Sequence, residues 1–549
     1  MNKHRGLLII VIMAGIFILP NLFLQRMHIG ADALFHYNRF YETAMQLKEW
    51  NFNPFISLYG FAQTGRIVNA VYGPAFAYLQ GVLVLLAGSW YHYQIISNFI
   101  LYMIAGASML LLLRKANVRE GVAVSLAIIF MTTYTIQYWT MNQGFTSWGG
   151  ALLPICLIPV LDMLRDAYFP WVKVAAAMAV MTQVHMLSAV FLAIIYFLAF
   201  ILFFISTPRK KFLLQLIQAM GLYGLLVLNV LSNFLVVYSG NTLQMPFVNQ
   251  EMASRTINVN ESYWLINPGI LLLLFLIGLG LRFLKRPTLT DVTKKLFLLS
   301  LIFLILSSSL LPWDWLVSHK VPFIGLIQFP FRFFVPSLIL FFLYCGLRLE
   351  EVSEKLPWQR ILMVFAVLAS GQLVIQTSIG LMKWEHRLFD RKHSFVVQPL
   401  NKVREAFFVN DLSAVFEVYV KSTPDYLPIY EENAKNKYER YEEEILFTGE
   451  KVQSFTKNGQ LIVNWTEQHS RQKHVPVFIY HGTNLTLNGK RLIKATLTDI
   501  GTPIVGSRIG ENQLIVQYHV PKFVSASYWL TACSWGFLGL SWAYKRKNE

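Results

Sequence analysis

Runs of roughly 17–25 apolar residues recur along most of this chain, and each is long enough to cross a ~30 Å hydrocarbon core as a helix. Lipid offers no partner for open backbone N–H and C=O groups, so such runs must close their hydrogen bonds internally, as helices. The chain is 55% apolar and 14% charged, whereas soluble domains carry about 25% charged residues. A mean hydropathy of +0.47 also excludes disorder. The expected fold class is an α-helical polytopic membrane protein.

A net charge of +17 would suit a nucleic-acid partner. The basic residues instead sit in short breaks between apolar runs, where cytoplasmic loops carry Lys and Arg, so no nucleic-acid partner is expected. The runs and this bias predict about twelve spans, at 7–24, 94–113, 121–137, 148–164, 170–184, 188–206, 212–238, 267–281, 296–311, 332–348, 361–379 and 524–543. Leu7–Phe23 follows Arg5 without a small-residue cleavage site and reads as a retained first span. Both termini then lie in the cytoplasm, and the protein sits in the plasma membrane. The inner breaks hold Arg114, Lys115, Arg119, Arg209–Lys211, Arg282, Lys285, Arg286, Lys294, Lys295, Arg348, Lys355, Arg360 and Lys545–Lys547. A first outer loop covers 25–73. Ala75–Leu86, about a dozen residues, is too short to span and reads as an interfacial or re-entrant helix.

Three domains follow: a transmembrane module over 1–379, an extracytoplasmic domain over 380–523, and the last span with its basic tail over 524–549. The middle one is mixed in its first part, with a helical piece at Glu431–Glu444. Its second part reads as a small β-sandwich with strands at Gln460–Trp465, Val475–Tyr480, Asn484–Leu487, Leu492–Leu497 and Gln513–Tyr518. Lys457–Asn458–Gly459 and Asn488–Gly489 are hairpin turn signals. Cys156, Cys345 and Cys533 fall inside apolar runs, so neither a disulfide framework nor a cysteine metal site is expected.

The residues able to carry chemistry face outward. Asp32, His36 and Arg39 stand at i, i+4 and i+7, and a helix here puts them on one face just above the membrane. Such a cluster can hold a sugar phosphate and act as a base on a hydroxyl; it is equally the solvated face of an interfacial helix. Arg66, in Gln63–Thr64–Gly65–Arg66, reads as a substrate contact or a lipid-headgroup anchor. His185 stands where two spans meet, as a ligand or a packing residue. Asp314, in Pro312–Trp313–Asp314–Trp315, is an outward carboxylate at the interface. Arg332, in Gln328–Phe329–Pro330–Phe331–Arg332, opens a span and can reach a lipid-linked phosphate or simply snorkel. No nucleotide-binding glycine loop, serine-nucleophile elbow or paired CxxC occurs.

Gly30-x-Asp32-x-x-x-His36 with Arg39, Tyr72–Gly73–Pro74 before a short apolar helix, Gln328–Arg332, Thr423–Pro428 and the segments Tyr480–Gly482 and Val516–Pro521 follow one another in an order that resembles bacterial GT-C-type membrane glycosyltransferases. The likeness extends to the YfhO-like and 6-pyruvoyl-tetrahydropterin-synthase-related membrane proteins. It implies transfer of a sugar from a polyprenyl-phosphate donor to a surface glycan or polymer acceptor on the outer face. Asp32, with His36, would be the catalytic pair; Arg39, Arg66, Asp314, Arg332 and His185 are the candidate substrate contacts. Such enzymes often carry a second acidic residue beside the first. None adjoins Asp32 in sequence, so a divalent cation (Mg or Mn) stays an open question, and Glu42 and Asp314 are the substitutes. Two rival readings are a flippase for lipid-linked glycan, which needs charged residues within the spans, and a non-catalytic surface-assembly protein.

Overall fold

The computed structural model describes residues 3–283, 289–352, 357–383, 388, 392–431 and 436–548. Lys285, Arg286, Lys355 and positions 432–435 of the expected helical piece lie outside the described residues. The chain is a multi-pass helical membrane protein with a β-rich C-terminal region. Among the described residues seven helices are long and apolar enough to cross a membrane: His4–Leu24, Trp90–Lys115, Glu120–Asn142, Thr146–Leu164, Met186–Ser206, Pro330–Glu351 and Trp358–Met382. The run expected as one span over 212–238 is a pair, Lys210–Leu226 and Leu228–Gly240, bent by 70°. The bend falls at Val227, whose φ of −123° leaves the helical region.

Length separates three of the remaining runs from these. Trp171–Val184 and Ile270–Phe283 have 14 residues each, and at ~1.5 Å per residue such a helix is about 21 Å long, short of a ~30 Å core. Asp291–Leu306 has 16 residues. The last helix, Lys522–Asn548, contains the run 524–543 and ends on Lys545, Arg546 and Lys547.

Two compact units make up the chain, each drawn from three stretches of sequence. The first comprises Met1–Ala31, Gln94–Tyr223 and Val248–Trp384. Its helices are joined by polar contacts between apolar faces. Ser300 and Ser337 each donate to the other's carbonyl at 2.9 Å, and Tyr344 donates to the Gly278 carbonyl at 3.0 Å. In lipid such bonds hold helices together where apolar burial gives no preference for protein over solvent. The buried Arg348 donates to the Leu281 carbonyl at 3.0 Å and pairs with Glu351 at 2.9 Å. A side chain at Gly106 would collide with Ile10 and Met131, so the close approach there depends on glycine.

The second unit comprises Asp32–Tyr93, Gly224–Phe247 and Glu385–Glu549. Its strands are β1 (Ser394–Val396), β2 (Tyr419–Lys421), β3 (Gln453–Lys457), β4 (Gln460–Glu467), β5 (Arg471–His474), β6 (Thr483–Leu487), β7 (Lys490–Leu492), β8 (Thr496–Leu497), β9 (Pro503–Ser507) and β10 (Gly510–Tyr518). β1 and β2 pair alone. The others form an antiparallel five-stranded sheet, β3-β4-β10-β6-β7, and a three-stranded sheet, β5-β9-β8. Both expected hairpins are present: Asn458–Gly459 and Asn488–Gly489 have φ of 52°, 72°, 49° and 79°, the doubly positive pattern of a type I′ turn. Leu461, Val463, Trp465, Leu485, Leu514 and Val516 of the larger sheet share one core with Val505 of the smaller.

Val475–Tyr480 is not a strand. Its N–H groups go to the carbonyls of Pro503, Val475 itself, Thr64 and Gly501 and to the Thr483 hydroxyl in turn, so no ladder forms. Val475, Val477, Phe478, Ile479 and Tyr480 are all buried, without the alternation of a half-exposed strand. The run Leu492–Leu497 likewise splits between β7 and β8. The piece expected over Glu431–Glu444 is a short helix, Lys437–Tyr441, followed by a π-turn over Glu442–Leu446.

Candidate functional site

Helix Ala33–Lys48 carries no Gly or Pro, and it begins at Asp32. Its polar residues are not a solvated face: His36 is 3% exposed, Arg39 0%, and Glu42 and Gln46 are equally buried. Two neighbours cover them. Helix Pro74–Ala87 lies against it through Thr43, which donates to the Ala77 carbonyl at 2.7 Å, and through Gly81, where a side chain would strike Thr43. On another side runs the loop 53–66. Glu42 accepts from the backbone N–H groups of Leu58, Tyr59 and Gly60 at 2.9, 2.7 and 2.8 Å, and from Gln46 Nε2 at 2.8 Å. Glu42 is therefore the anchor of that loop and not a reserve catalytic carboxylate.

Arg39 is at the centre. Its guanidinium lies 4.3 Å from the Tyr72 ring centroid, donates from Nε to Asn69 Oδ1 at 3.2 Å, and meets His36 Nδ1 from Nη1 at 3.2 Å. Arginine only donates, so Nδ1 is the acceptor of this bond. Burial lowers the Arg39 pKa to about 10, against the opposing influence of Tyr72, Tyr426 and Tyr93. It stays a cation at neutral pH, ringed by aromatic and amide groups. His36 is thus a positioning residue for Arg39.

Arg66 is equally buried. It donates to Thr423 Oγ1 at 2.8 Å and to the Asp425 carbonyl, and it lies over the Phe61 ring at 4.7 Å. These contacts clasp the 423–425 turn, so Arg66 is not a surface anchor for a headgroup. That turn brings in the residue the sequence reading missed. The Asp425 carboxylate, paired with Lys437 at 3.1 Å, acts together with Asp32 on two phenols. Tyr72 is pushed up by burial and then, against the pull of Arg39, by Asp425 and Asp32. Tyr438 is pushed up by burial and then by the same two carboxylates. Both phenols therefore keep their protons under physiological conditions, the form in which a phenol can donate.

The outer layer of this cluster is half-buried: Asp32, Tyr72, Asp425, Tyr426, Lys437 and Tyr438. Beneath it lie the buried His36, Arg39 and Arg66. The Asp32 carboxylate does not cap its helix. Flat rings, neutral phenol donors and two carboxylates offer a polyhydroxylated ligand both apolar platforms and directed hydrogen bonds. The Asp425 carboxylate is shared with Lys437, and among the described residues no three His, Cys, Asp or Glu side chains are placed together to hold a metal ion.

The other expected residues belong to the first unit. His185 is the N-cap of helix Met186–Ser206; its Nδ1 accepts from the Ser188 N–H at 3.3 Å and bonds the Ser188 hydroxyl at 2.8 Å. This is a structural role. Asp314 is exposed and accepts from the Ala253 N–H at 2.8 Å. Arg332, half-buried on the turn Pro330–Phe333, donates from Nη1 to the Ile327 carbonyl and Gln328 Oε1, both at 2.9 Å, and lies 4.9 Å from the Phe329 ring. Asp425 had one visible signal, the dense Thr423–Pro424–Asp425–Tyr426–Leu427–Pro428 segment, but nothing in its spacing tied it to Asp32. No family model and no curated protein matches the chain.

Proposed function

We propose that the protein is a membrane glycosyltransferase that moves a sugar from a polyprenyl-phosphate donor to a surface glycan or polymer. The observation that carries this reading is the layer of Asp32, Asp425, Tyr72 and Tyr438 above two buried arginines. In the reaction the bond between the anomeric carbon and the phosphate oxygen breaks, and its electron pair leaves with polyprenyl phosphate. The acceptor oxygen bonds the anomeric carbon, and its proton passes to the Asp32 carboxylate. Tyr72 and Tyr438 orient the acceptor by hydrogen bonds. Replacing Asp32 by Asn separates this reading from a surface-assembly role: an enzyme loses turnover while staying folded, and a scaffold is indifferent.

Within the first unit, taken by itself, Arg332 is suited to a lipid-linked phosphate, since it is half-buried and lies against the Phe329 ring, whereas Arg66 of the second unit is spent on the 423–425 turn. Charge-assisted contacts to phosphate contribute roughly 1.5–3 kcal/mol. Arg332→Ala is expected to weaken donor binding by about 10- to 100-fold, measured by titration with a polyprenyl-phosphate sugar. Unchanged affinity removes Arg332 from the donor site.

The same reading takes about twelve spans in the plasma membrane, the 14-residue helices Trp171–Val184 and Ile270–Phe283 being accommodated by local thinning of the bilayer, with both termini and the Arg114–Glu120 turn in the cytoplasm and residues 380–523 outside. Cys156 and Cys345 are buried and Cys533 is exposed, so the labelling background is Cys533→Ser. An Asn117→Cys variant in that background is expected to resist an impermeant thiol reagent in intact cells and to react after lysis. Labelling of intact cells at this position would reverse the orientation.

A further inference from the structure

Helices Leu228–Gly240 and Lys522–Asn548 of the second unit run antiparallel. Asn229 N–H donates to Thr531 Oγ1 at 3.0 Å, Ser232 and Ser527 hydroxyls meet at 2.6 Å, and Asn233 donates to Tyr528 at 2.9 Å. The end of one helix and the start of the other therefore lie at one level. Their outer faces are apolar and open: Leu231, Leu235, Trp529, Leu530, Phe537 and Leu540 are all exposed. In a multi-pass membrane protein such faces meet lipid.

At that level a cleft of about 850 Å³ opens between the helix ends and the five-stranded sheet. Its apolar wall is Leu235, Val236, Pro521 and Phe523, with Leu235 62% and Phe523 51% exposed. Its polar wall is Ser239, His481, Asn484, Arg491 and His519. Strand register assembles this wall. His519 follows β10 and donates its N–H to the Gly482 carbonyl at 3.0 Å, which brings it beside the His481–Gly482 turn before β6. Arg491 stands opposite Thr486 on the edge strand β7, and its Nη2 donates to Asn484 Oδ1 at 3.2 Å. The His481 N–H donates to Asn241 Oδ1 at 2.8 Å, which ties this turn to the helix end. Gly482, at φ +94°, adopts a backbone that L side chains avoid, and a side chain there would crowd the Tyr518 ring.

Among the described residues the lining thus combines an arginine, two imidazoles, the hydroxyls of Ser239 and Tyr518, and an amide, with no carboxylate. It joins them to an apolar wall continuous with the lipid-facing helices. A free anion has no use for that wall, and a zwitterionic headgroup brings an ammonium for which the lining offers no anionic partner. We propose that this cleft is a headgroup site for an anionic bilayer phospholipid. Its phosphodiester is held by Arg491 with His481 and His519, and its acyl chains lie along Leu235 and Phe523. Arginine suits this task because its planar fork matches phosphate oxygens.

The test uses the full-length protein in phosphatidylcholine nanodiscs containing a trace of photoactivatable phosphatidylglycerol, with cross-links mapped by mass spectrometry. Labelling is expected within 481–491 or 519–523. Unlabelled phosphatidylglycerol should displace it, and extra phosphatidylcholine should not. Arg491→Gln should weaken labelling about tenfold, the loss of one charge-assisted contact, while Arg491→Lys should retain most of it. Arg491 is an exposed edge-strand residue, so unchanged unfolding midpoints should accompany both variants. A Phe523→Gln variant, which touches only the apolar wall, should also weaken labelling. Equal displacement by phosphatidylcholine, indifference to Arg491→Gln, or displacement by polyprenyl phosphate at lower concentration than by phosphatidylglycerol would each overturn the assignment.

Discussion

Asp32→Asn is expected to lower the rate of sugar transfer at saturating donor by about 10²–10⁴-fold, the usual worth of general-base assistance. Polyprenyl phosphate is a good leaving group and needs little acid help. The demand falls on the acceptor hydroxyl, which must lose a proton as it attacks. Asp32 is suited to take it because its half-buried carboxylate acts electrostatically on the same two phenols, Tyr72 and Tyr438, as Asp425 does. The amide keeps the shape and accepts no proton, so donor affinity should stay unchanged while turnover falls. Asp425→Asn provides the contrast. That carboxylate is held by Lys437 at 3.1 Å, so its loss should raise the acceptor KM more than it lowers turnover. If Asp32→Asn keeps more than about a third of the wild-type rate, well short of a general-base effect, the base lies elsewhere and Asp425 is the next residue to test.

The second large effect is on stability. Glu42→Ala should destabilise the protein by about 3–5 kcal/mol, the usual cost of breaking a buried hydrogen-bonded charge. Three backbone N–H groups, those of Leu58, Tyr59 and Gly60, would lose their acceptor at once. Glu42→Gln keeps one acceptor oxygen and should lose less. Burial raises the Glu42 pKa above 4.5 even though four hydrogen bonds pull it down. Between 4.5 and the raised value the folded state binds more protons than the unfolded one. Stability should therefore fall as pH rises through that interval, and Glu42→Gln should abolish this slope. Unfolding midpoints in detergent, followed by tryptophan fluorescence, measure both. A Glu42→Ala midpoint equal to wild type would mean the loop holds itself.

Much of the helical architecture was legible because apolar length is a local property. Seven helices long and apolar enough to cross a membrane, the short Pro74–Ala87 helix and both Asn–Gly hairpins follow from runs and turn residues read within about twenty positions. The bend at Val227 was not legible, since no Pro or Gly stands there to mark it. Val475–Tyr480 misled for a related reason: an apolar, β-branched run reads as a strand, but its N–H groups found scattered partners instead of one neighbouring strand.

The candidate site divides along the same line. Helical spacing alone put His36 and Arg39 on one face, and the structure shows them in contact at 3.2 Å. It did not reveal whether that face was wet or buried, because amphipathic spacing is the same in both cases; packing against the loop 53–66 and helix Pro74–Ala87 decided it. Asp425 lies almost 400 residues from Asp32, and Arg66 reaches Thr423 across a similar distance. Side-chain pairs so far apart leave no periodic trace in one sequence. By itself, then, the sequence determined which segments prefer lipid, where turns must fall and which residues bear charge. Only the tertiary structure decided which polar side chains are spent as anchors, as with Glu42, Arg66 and His185, and which two carboxylates share the same phenols. The physical reason is that hydropathy and turn chemistry act over neighbouring residues, whereas desolvation and hydrogen-bond partnership depend on whatever the fold brings alongside.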